Sequence, residues 1–232
     1  MNEKEVVKAI RAALERATDV NLHSYPIHVR TRDGAYRLEG EAADIAAKRK
    51  ALQIARSHAG NAPVIDDLRV RVGEHREGVA LRQSVLDRLM QDSVFSGMVL
   101  SEGTSAPEGH QGDWISVDAH DGVVRLTGRV NSLSHRRLAE VLAWWTPGTA
   151  DVDNRIHVEP PERDNDDEIM DAVRIVFDKE PGIDPDQVRV SCRERVITLQ
   201  GTVGSEQNKR IAALDCWYIP GVHDVRNELH VG

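Results

Sequence analysis

Cysteine is scarce in this 232-residue chain, and its scarcity excludes a disulfide-stapled fold. The only two cysteines, Cys192 and Cys216, both lie in the last third of the chain. Two cysteines are too few for the disulfide framework of a small secreted domain. The sequence leaves open whether these two residues form one bridge with each other.

Long apolar runs are absent as well. After Met1 the chain enters a charged amphipathic segment without the apolar core of a signal peptide, and no stretch reaches the roughly 20 apolar residues of a transmembrane helix. We therefore expect a cytoplasmic protein, or a periplasmic one if a leader has been removed.

Catalytic motifs are also missing. No serine, cysteine or histidine lies in a recognisable nucleophile motif, and the sequence has neither a phosphate-binding glycine loop nor a paired-cysteine motif. His157 and His230 have no second ligand at a spacing that is diagnostic of zinc. These absences predict a protein that is not an enzyme.

Positive charge is in deficit, since the chain has a formal net charge of −8. The balance of Lys and Arg against Asp and Glu is +2 for residues 1–74, −5 for 75–162 and −5 for 163–232. A protein that binds nucleic acid neutralises phosphates with a basic surface. The charge balance therefore predicts no nucleic-acid partner.

What the sequence does contain is one pattern that occurs three times. The copies align on Gly40, Gly128 and Gly201, with a valine eleven residues before each glycine and a leucine two residues before it. The register continues without a gap through a helix-capping residue at plus four, an alanine at plus eleven and a valine at plus thirty. Repeats of this kind define the architecture. Three copies of a small module without catalytic residues are typical of a binding array.

Each copy shows the order helix, strand, strand, helix, strand. Apolar residues at helical spacing indicate the first helix, and alternating runs joined by a tight turn indicate the next two strands. The turn is Asp33-Gly34 in the first copy and Asp121-Gly122 in the second, and Asp-Gly is a strong hairpin signal. We predict an α/β fold of the α+β sandwich type, with three tandem modules that each pack a small three-stranded sheet against two helices.

The repeat divides the chain into three domains, which we call copy 1 (residues 1–74), copy 2 (75–162) and copy 3 (163–232). Copy 2 is longer because of an insertion at residues 96–112, whose glycine, serine and proline content predicts a mobile surface loop. Units of about 70 residues are near the lower limit for a self-supporting core. We therefore expect neighbouring copies to contact each other.

Several runs in these modules resemble one known family. In copy 2, Asp121–Ser132 and Val152–Ile156 are similar to the BON domain, named for bacterial osmotically inducible and nodulation proteins. Copy 3 is similar through Val196–Val203 and through residues 222–231. Copy 1 departs from the pattern, with Glu41-Ala42 after its glycine and Asp66-Asp67 near its last strand. The resemblance covers almost the whole chain except the insertion in copy 2.

This resemblance implies a bacterial α/β module that occurs in two or three copies. It further implies an association with phospholipid membranes, osmotic stress and envelope integrity. Some members bind potassium, so the resemblance makes this ion a possible ligand. Many members carry an export signal, and from the charged segment after Met1 we expect none here.

The second helices of copies 2 and 3 carry the candidate binding residues. Each helix has a basic pair eight and nine residues after the anchor glycine and an aromatic pair at sixteen and seventeen. Helical geometry places the second aromatic residue of each pair in the core stripe and the first one, Trp144 or Trp217, on the basic flank. The candidate residues for binding a partner or lipid are Arg136, Arg137, Trp144, Lys209, Arg210 and Trp217.

Three interpretations of this flank are open. The favoured one is a solvated basic surface with a tryptophan covering the sheet edge. The second is contact with a protein partner or with a neighbouring copy, where aromatic and arginine side chains are enriched. The third is contact with lipid headgroups. The acidic balance of copies 2 and 3 disfavours anionic membranes.

Taken together, these observations predict a non-enzymatic binding or scaffold protein in stress adaptation, with a phospholipid surface or a protein as its partner. The alternative is a small-ligand sensor for potassium, in which backbone carbonyls and carboxylates replace the water around the ion. Because every residue has a carbonyl, the sequence names no potassium ligands and no metal site.

Overall fold

The computed structural model describes residues 2–76 and 78–232, which form two compact units. The first unit ends at Val72 and contains the helices and strands of copy 1, and the second, Gly73–Gly232, contains those of copies 2 and 3. Helices of copies 2 and 3 contact each other, as the small size of each copy led us to expect. The domain boundaries after residues 74 and 162 stay predictions.

Copy 1 consists of a three-stranded sheet and two helices. Its elements are α1 (Glu3–Arg16), β1 (Ile27–Arg32), β2 (Ala35–Ala42), α2 (Ile45–Ala59) and β3 (Val64–Val70). The strand order is β1-β2-β3, with β1 antiparallel to β2 and β3 parallel to it. Side chains from both helices and all three strands form the core, which includes the fully buried Ile10, Leu14, Leu38 and Leu68.

Copies 2 and 3 repeat this topology, to which copy 2 adds one strand. The elements of copy 2 are α3 (Gly78–Gln91), a short 3-10 helix (Ser93–Phe95), β4 (Val99–Glu102), β5 (Trp114–His120), β6 (Val123–Val130), α4 (Leu133–Trp144) and β7 (Asp151–Val158). Those of copy 3 are α5 (Asp166–Phe177), β8 (Val188–Arg193), β9 (Val196–Val203), α6 (Glu206–Tyr218) and β10 (Asp224–Val231). The predicted α+β modules are therefore confirmed.

The capping residue at plus four begins the second helix in every copy. The side chains of Asp44, Ser132 and Ser205 each accept a hydrogen bond from the backbone N–H three residues later, at 2.9 to 3.1 Å. These bonds satisfy donors that the first helical turn would otherwise leave unpaired.

The anchor glycine is required by a close approach of two strands. A Cβ atom at Gly40 would collide with the backbone oxygen of Pro26, and Gly128 and Gly201 face the equivalent oxygens of Trp114 and Gln187. The hairpin can therefore close at this point only if the residue has no side chain.

The hairpin turn of copy 3 has the same shape as the Asp-Gly turns, although it contains no glycine. Glu194 and Arg195 both adopt positive φ, at 52° and 64°. The Asp166 carboxylate at the start of α5 accepts hydrogen bonds from both of their N–H groups, at 2.7 and 2.9 Å. These two bonds offset the unfavourable backbone conformation of non-glycine residues.

The sequence of copy 1 predicts its last strand over residues 68–72, whereas β3 begins four residues earlier, at Val64, and ends at Val70. The two consecutive charged residues Asp66 and Asp67 interrupt the apolar alternation that would indicate this strand in the sequence. Both carboxylates are paired in the fold: Asp66 with the buried Lys48, whose Nζ lies 3.1 Å away, and Asp67 with Arg37.

The insertion in copy 2 is the main departure from the predicted fold. Residues 96–112 were expected to form a loop, but Val99–Glu102 is strand β4, so the sheet of copy 2 has four strands in the order β4-β5-β6-β7. A run of four residues is too short to show alternation in the sequence. Its strand conformation comes from parallel pairing with β5, in which Leu100 lies opposite Ile115 and Glu102 opposite Val117.

Candidate functional site

Helix α4 of copy 2 is packed on two sides. Leu138 and Leu142 belong to its buried stripe, and a second buried stripe is formed by Arg137, Val141 and Trp144, at spacings of four and three residues. Helix α4 contacts both α5 and α6 of copy 3. The predicted solvated flank of α4 is therefore wrong, because this face is covered by copy 3.

Arg137 links the two copies through hydrogen bonds. Its Nη2 donates to Oδ1 of Asp164 at 2.6 Å, and its Nε donates to the Pro220 carbonyl at 3.3 Å. Arg195 donates to the other carboxylate oxygen of Asp164 at 3.2 Å. Partial burial would raise the pKa of Asp164, but the two guanidinium groups outweigh it and hold this pKa below its ordinary value.

The two predicted surface tryptophans are buried as well. Trp144 and Trp217 are each 8% exposed. The ring of Trp144 lies against the ring of Tyr218 in copy 3, with centroids 6.0 Å apart and planes tilted by 30°. The expectation that these tryptophans lie on an exposed basic flank is therefore wrong. For the flank of α4, the structure supports contact between copies among the three interpretations.

Asp215 is the buried acid of this contact. Its side chain lies on α6, the residue is 2% exposed, and Oδ1 accepts a hydrogen bond from Nε1 of Trp145 at 3.0 Å. Burial raises the pKa of Asp215 to about 7, and the negative charge of Glu180 adds to this effect, while the Trp145 bond opposes it. Its second oxygen, Oδ2, has no hydrogen-bond partner among the described residues. The sequence provided no signal for this residue.

The other candidate residues remain partly or fully accessible. Arg136 and Lys209 are half-buried and Arg210 is exposed. Lys209 lines a shallow pocket of about 540 Å³ in copy 3, together with Gln200, Glu228 and His230. The six candidate residues do not form one surface, and their role in binding a partner or lipid stays a prediction.

Neither cysteine has the character of a nucleophile. Cys192 and Cys216 are free thiols, so the structure contains no bridge between them. Burial raises the pKa of Cys192 to about 11, and burial raises that of the fully buried Cys216 as well. Both thiols therefore stay protonated near neutral pH. Within residues 2–76 and 78–232, no group of three or more His, Cys, Asp or Glu side chains is arranged to hold a metal ion.

Copy 1 has a groove that the sequence did not indicate. It has a volume of about 850 Å³ and lies between helix α1 and strand β1. Lys4, Val7, Lys8 and Arg11 line its helical wall, and Val29, Arg30 and Thr31 line its strand wall. Strand β1 is at the edge of its sheet.

The repeated α-β-β-α-β module places this protein in the class of small tandem α+β domains. The family model of the BON domain matches residues 2–72, 108–160 and 165–232. Because these segments make up most of the sequence, the chain belongs to the BON-domain family. This family is generally non-enzymatic, and its domains are associated with binding of phospholipid or protein and with stress.

Two solved structures are similar to the chain at low identity. One is the C-terminal domain of CdsD, the structural protein of the type III secretion system of Chlamydia trachomatis, with 15% identity over 100% of both chains and a TM-score of 0.26. The other, also of CdsD, has 15% identity over 98% of this chain and 93% of that chain, with a TM-score of 0.25. These scores are too low to support an argument. No curated protein matches the chain.

Proposed function

We propose that this chain is a non-enzymatic scaffold that binds a protein partner in stress adaptation. The observation that carries this proposal is the burial of the aromatic and basic residues that would otherwise suit a lipid interface. Trp144, Trp217 and Arg137 are 8%, 8% and 3% exposed, so they stabilise the folded unit and do not reach a membrane.

The remaining surface also favours a protein over a lipid partner. The large apolar residues exposed in the described part of the chain are Val79 and Met90 on α3 and Val231 on β10. Val79 and Met90 are separated by about 16 Å along the helix axis, because an α-helix rises about 1.5 Å per residue. Scattered apolar residues of this kind do not form a membrane-inserting patch. The longest described helix, α2, has 15 residues, and none of the described helices is long and apolar enough to cross a bilayer.

A selection with the whole purified chain tests the proposal. A random peptide library displayed on phage is panned against the chain, and co-flotation with phosphatidylglycerol–phosphatidylethanolamine vesicles is measured in parallel. We expect enrichment of related peptides and no flotation. The variant Lys209→Glu with Arg210→Glu reverses two accessible cations and is the control for electrostatic lipid binding. The proposal would be contradicted if no peptides were enriched and the wild-type chain floated with the vesicles while the variant did not. The partner would then be a lipid surface.

The potassium alternative is tested separately by thermal unfolding. A bound ion stabilises the folded state by mass action, whereas ionic strength is the same in matched potassium and sodium chloride. The scaffold proposal predicts equal unfolding temperatures in the two salts. A rise specific to potassium would make the sensor the better account.

A further inference from the structure

The groove of copy 1 combines an open strand edge with a helical wall. Among the described residues, β1 pairs with β2 alone, and residues of its other edge line the groove. An edge of this kind offers backbone N–H and C=O groups to an added strand. One of these acceptors, the carbonyl of Val29, receives a hydrogen bond from Nη2 of Arg11 at 3.1 Å.

Copy 2 shows what the equivalent position can hold. Its own β4 lies beside β5, runs parallel to it and contacts α3. The carbonyl of Val117 accepts a hydrogen bond at 2.8 Å from the N–H of Gly103, directly after β4. Arg82 on α3 binds the Glu102 carboxylate with Nη2 and Oε2 2.7 Å apart. An extended apolar and acidic segment therefore occupies this position in copy 2.

The repeat aligns the two positions at one residue of the edge strand: β4 pairs with residues 114–117, whose counterparts in copy 1 are 26–29, and the groove continues along β1 from Val29 to Thr31. With Gly40 placed on Gly128, Val29 corresponds to Val117. The carbonyl that accepts from an added strand in copy 2 thus has its counterpart in the carbonyl that Arg11 covers in copy 1. Copy 1 has no insertion to supply a strand of its own, and a side chain satisfies the acceptor instead.

The charges of the groove indicate the chemistry of its ligand. Lys4, Lys8 and Arg11 follow one another at spacings of four and three residues, so they share one face of α1. With Arg30 they give four cations among the lining residues, against the two carboxylates of Glu3 and Glu15. Arg30 is paired with Glu39, with Nε and Oε2 2.9 Å apart, so the excess of positive charge is carried by Lys4, Lys8 and Arg11. This excess of positive charge favours an acidic ligand.

We propose that the groove of copy 1 binds an extended, acidic segment of a partner protein as an added strand parallel to β1. The segment carries an apolar and an acidic residue two positions apart, on one face of the strand, as Leu100 and Glu102 are on β4. Its backbone pairs with Val29 and Thr31, and its arrival releases Arg11 from the Val29 carbonyl, which brings the guanidinium to the ligand carboxylate. This inference rests on the proposed function, because it names the site and class of the protein partner.

The test uses the full chain and a fluorescent peptide with the sequence of residues 97–104, Gly-Met-Val-Leu-Ser-Glu-Gly-Thr. Fluorescence anisotropy measures its affinity for the wild-type chain and for two variants of the exposed Thr31. Thr31→Pro removes the outward N–H of the edge strand, whereas Thr31→Val keeps it. We expect Thr31→Pro to weaken binding about tenfold or more, which corresponds to the loss of about one ladder hydrogen bond, and Thr31→Val to change it less than about twofold.

A second pair of variants tests the charge of the groove. Lys4→Glu with Lys8→Glu is expected to weaken peptide binding about tenfold, while Arg193→Glu with Arg226→Glu, at two exposed residues of copy 3, leaves it unchanged. Hydrogen exchange followed by NMR locates the contact, since the amides of Val29 and Thr31 should exchange more slowly when the peptide is bound. Circular dichroism confirms that each variant is folded.

Three results would overturn the inference: no binding of the peptide, equal affinities of Thr31→Pro and Thr31→Val, or exchange protection away from α1 and β1. The phage selection separates this failure from failure of the scaffold proposal. If enriched peptides bind equally well to all four variants, the scaffold proposal stands, but the binding site lies outside the groove of copy 1. If the selection enriches no peptides, the proposal that this chain binds a protein partner is wrong.

Discussion

Arg137 on α4 and Asp164, two residues before α5, form an ion pair across the contact between copies 2 and 3, with Nη2 and Oδ1 2.6 Å apart. The arginine is 3% exposed, whereas the aspartate side chain is 39% exposed. The pair therefore joins a buried helix of one copy to the accessible start of the next. Copy 2 and copy 3 are in this way held as one unit.

Removing the arginine should weaken this unit. Arg137→Ala is expected to lower the free energy of unfolding by about 2 kcal/mol, because it removes charged hydrogen bonds to Asp164 and Pro220. Urea unfolding followed by tryptophan fluorescence measures the change. Arg174→Ala is the matched control, since its exposed ion pair with Asp171 should contribute almost nothing. Equal losses in the two variants would contradict the role of Arg137.

Trp144→Ala should lower the stability of the fold, because Trp144 is buried and is not part of an exposed binding surface. The ring is 8% exposed and lies against Tyr218, so its truncation leaves a cavity between the copies. We expect a loss of about 3 kcal/mol or more in the free energy of unfolding. Val79→Ala, at a residue that is 67% exposed, should change this energy little. If Trp144→Ala is as stable as the wild type, the tryptophan lies on the surface and not between the copies.

The Asp215 carboxyl should make stability depend on pH. Its folded-state pKa of about 7 lies above the value of about 3.9 expected in the unfolded chain, so the folded state binds the proton more tightly. The resulting stabilisation is fully present below about pH 4 and is lost as the pH rises to about 7. Its full size is on the order of 4 kcal/mol, at about 1.4 kcal/mol for each pKa unit.

Asp215→Asn isolates this contribution, because an amide keeps an acceptor for Trp145 but does not titrate. The difference in unfolding temperature between wild type and variant should move in favour of the variant as the pH rises from about 4 to about 7. Differential scanning calorimetry at several pH values measures it. A difference that does not vary with pH would show that Asp215 titrates normally.

The anchor glycine of copy 1 should not tolerate a side chain. Gly40→Ala places a Cβ against the Pro26 carbonyl at a φ of 131°, so we expect a loss of more than about 3 kcal/mol or failure to fold. Gly73→Ala, which meets open space, is the control and should be nearly neutral. Thermal unfolding of both variants measures the difference. A stable Gly40→Ala variant would mean that the strands can separate at this point.

The local structure of the modules was predictable because its signals lie within short stretches of chain. The caps Asp44, Ser132 and Ser205 each act within one helical turn, and Asp33-Gly34 closes its hairpin by backbone preference alone. Strand β4 escaped prediction because it has four residues and depends on β5, whose paired residues lie fifteen positions later.

The candidate site was harder to predict because burial depends on what covers a surface. Periodicity assigned Trp144 to an exposed flank, since one apolar stripe is enough to bury a helix against its own sheet. Val141, between Arg137 and Trp144 on the same face, was the one signal of a second stripe. The groove of copy 1 had no sequence signal, because it is formed by the space between two elements.

The sequence by itself determined the repeat, the family, the order of elements and the position of the anchor glycine, because each follows from periodicity and backbone geometry over a few residues. Only the tertiary structure decided that copies 2 and 3 share one unit, that Asp215 and Trp144 lie inside it, and that β1 has an open edge beside α1. These features depend on contacts between residues far apart in the chain, whose partners no local pattern specifies.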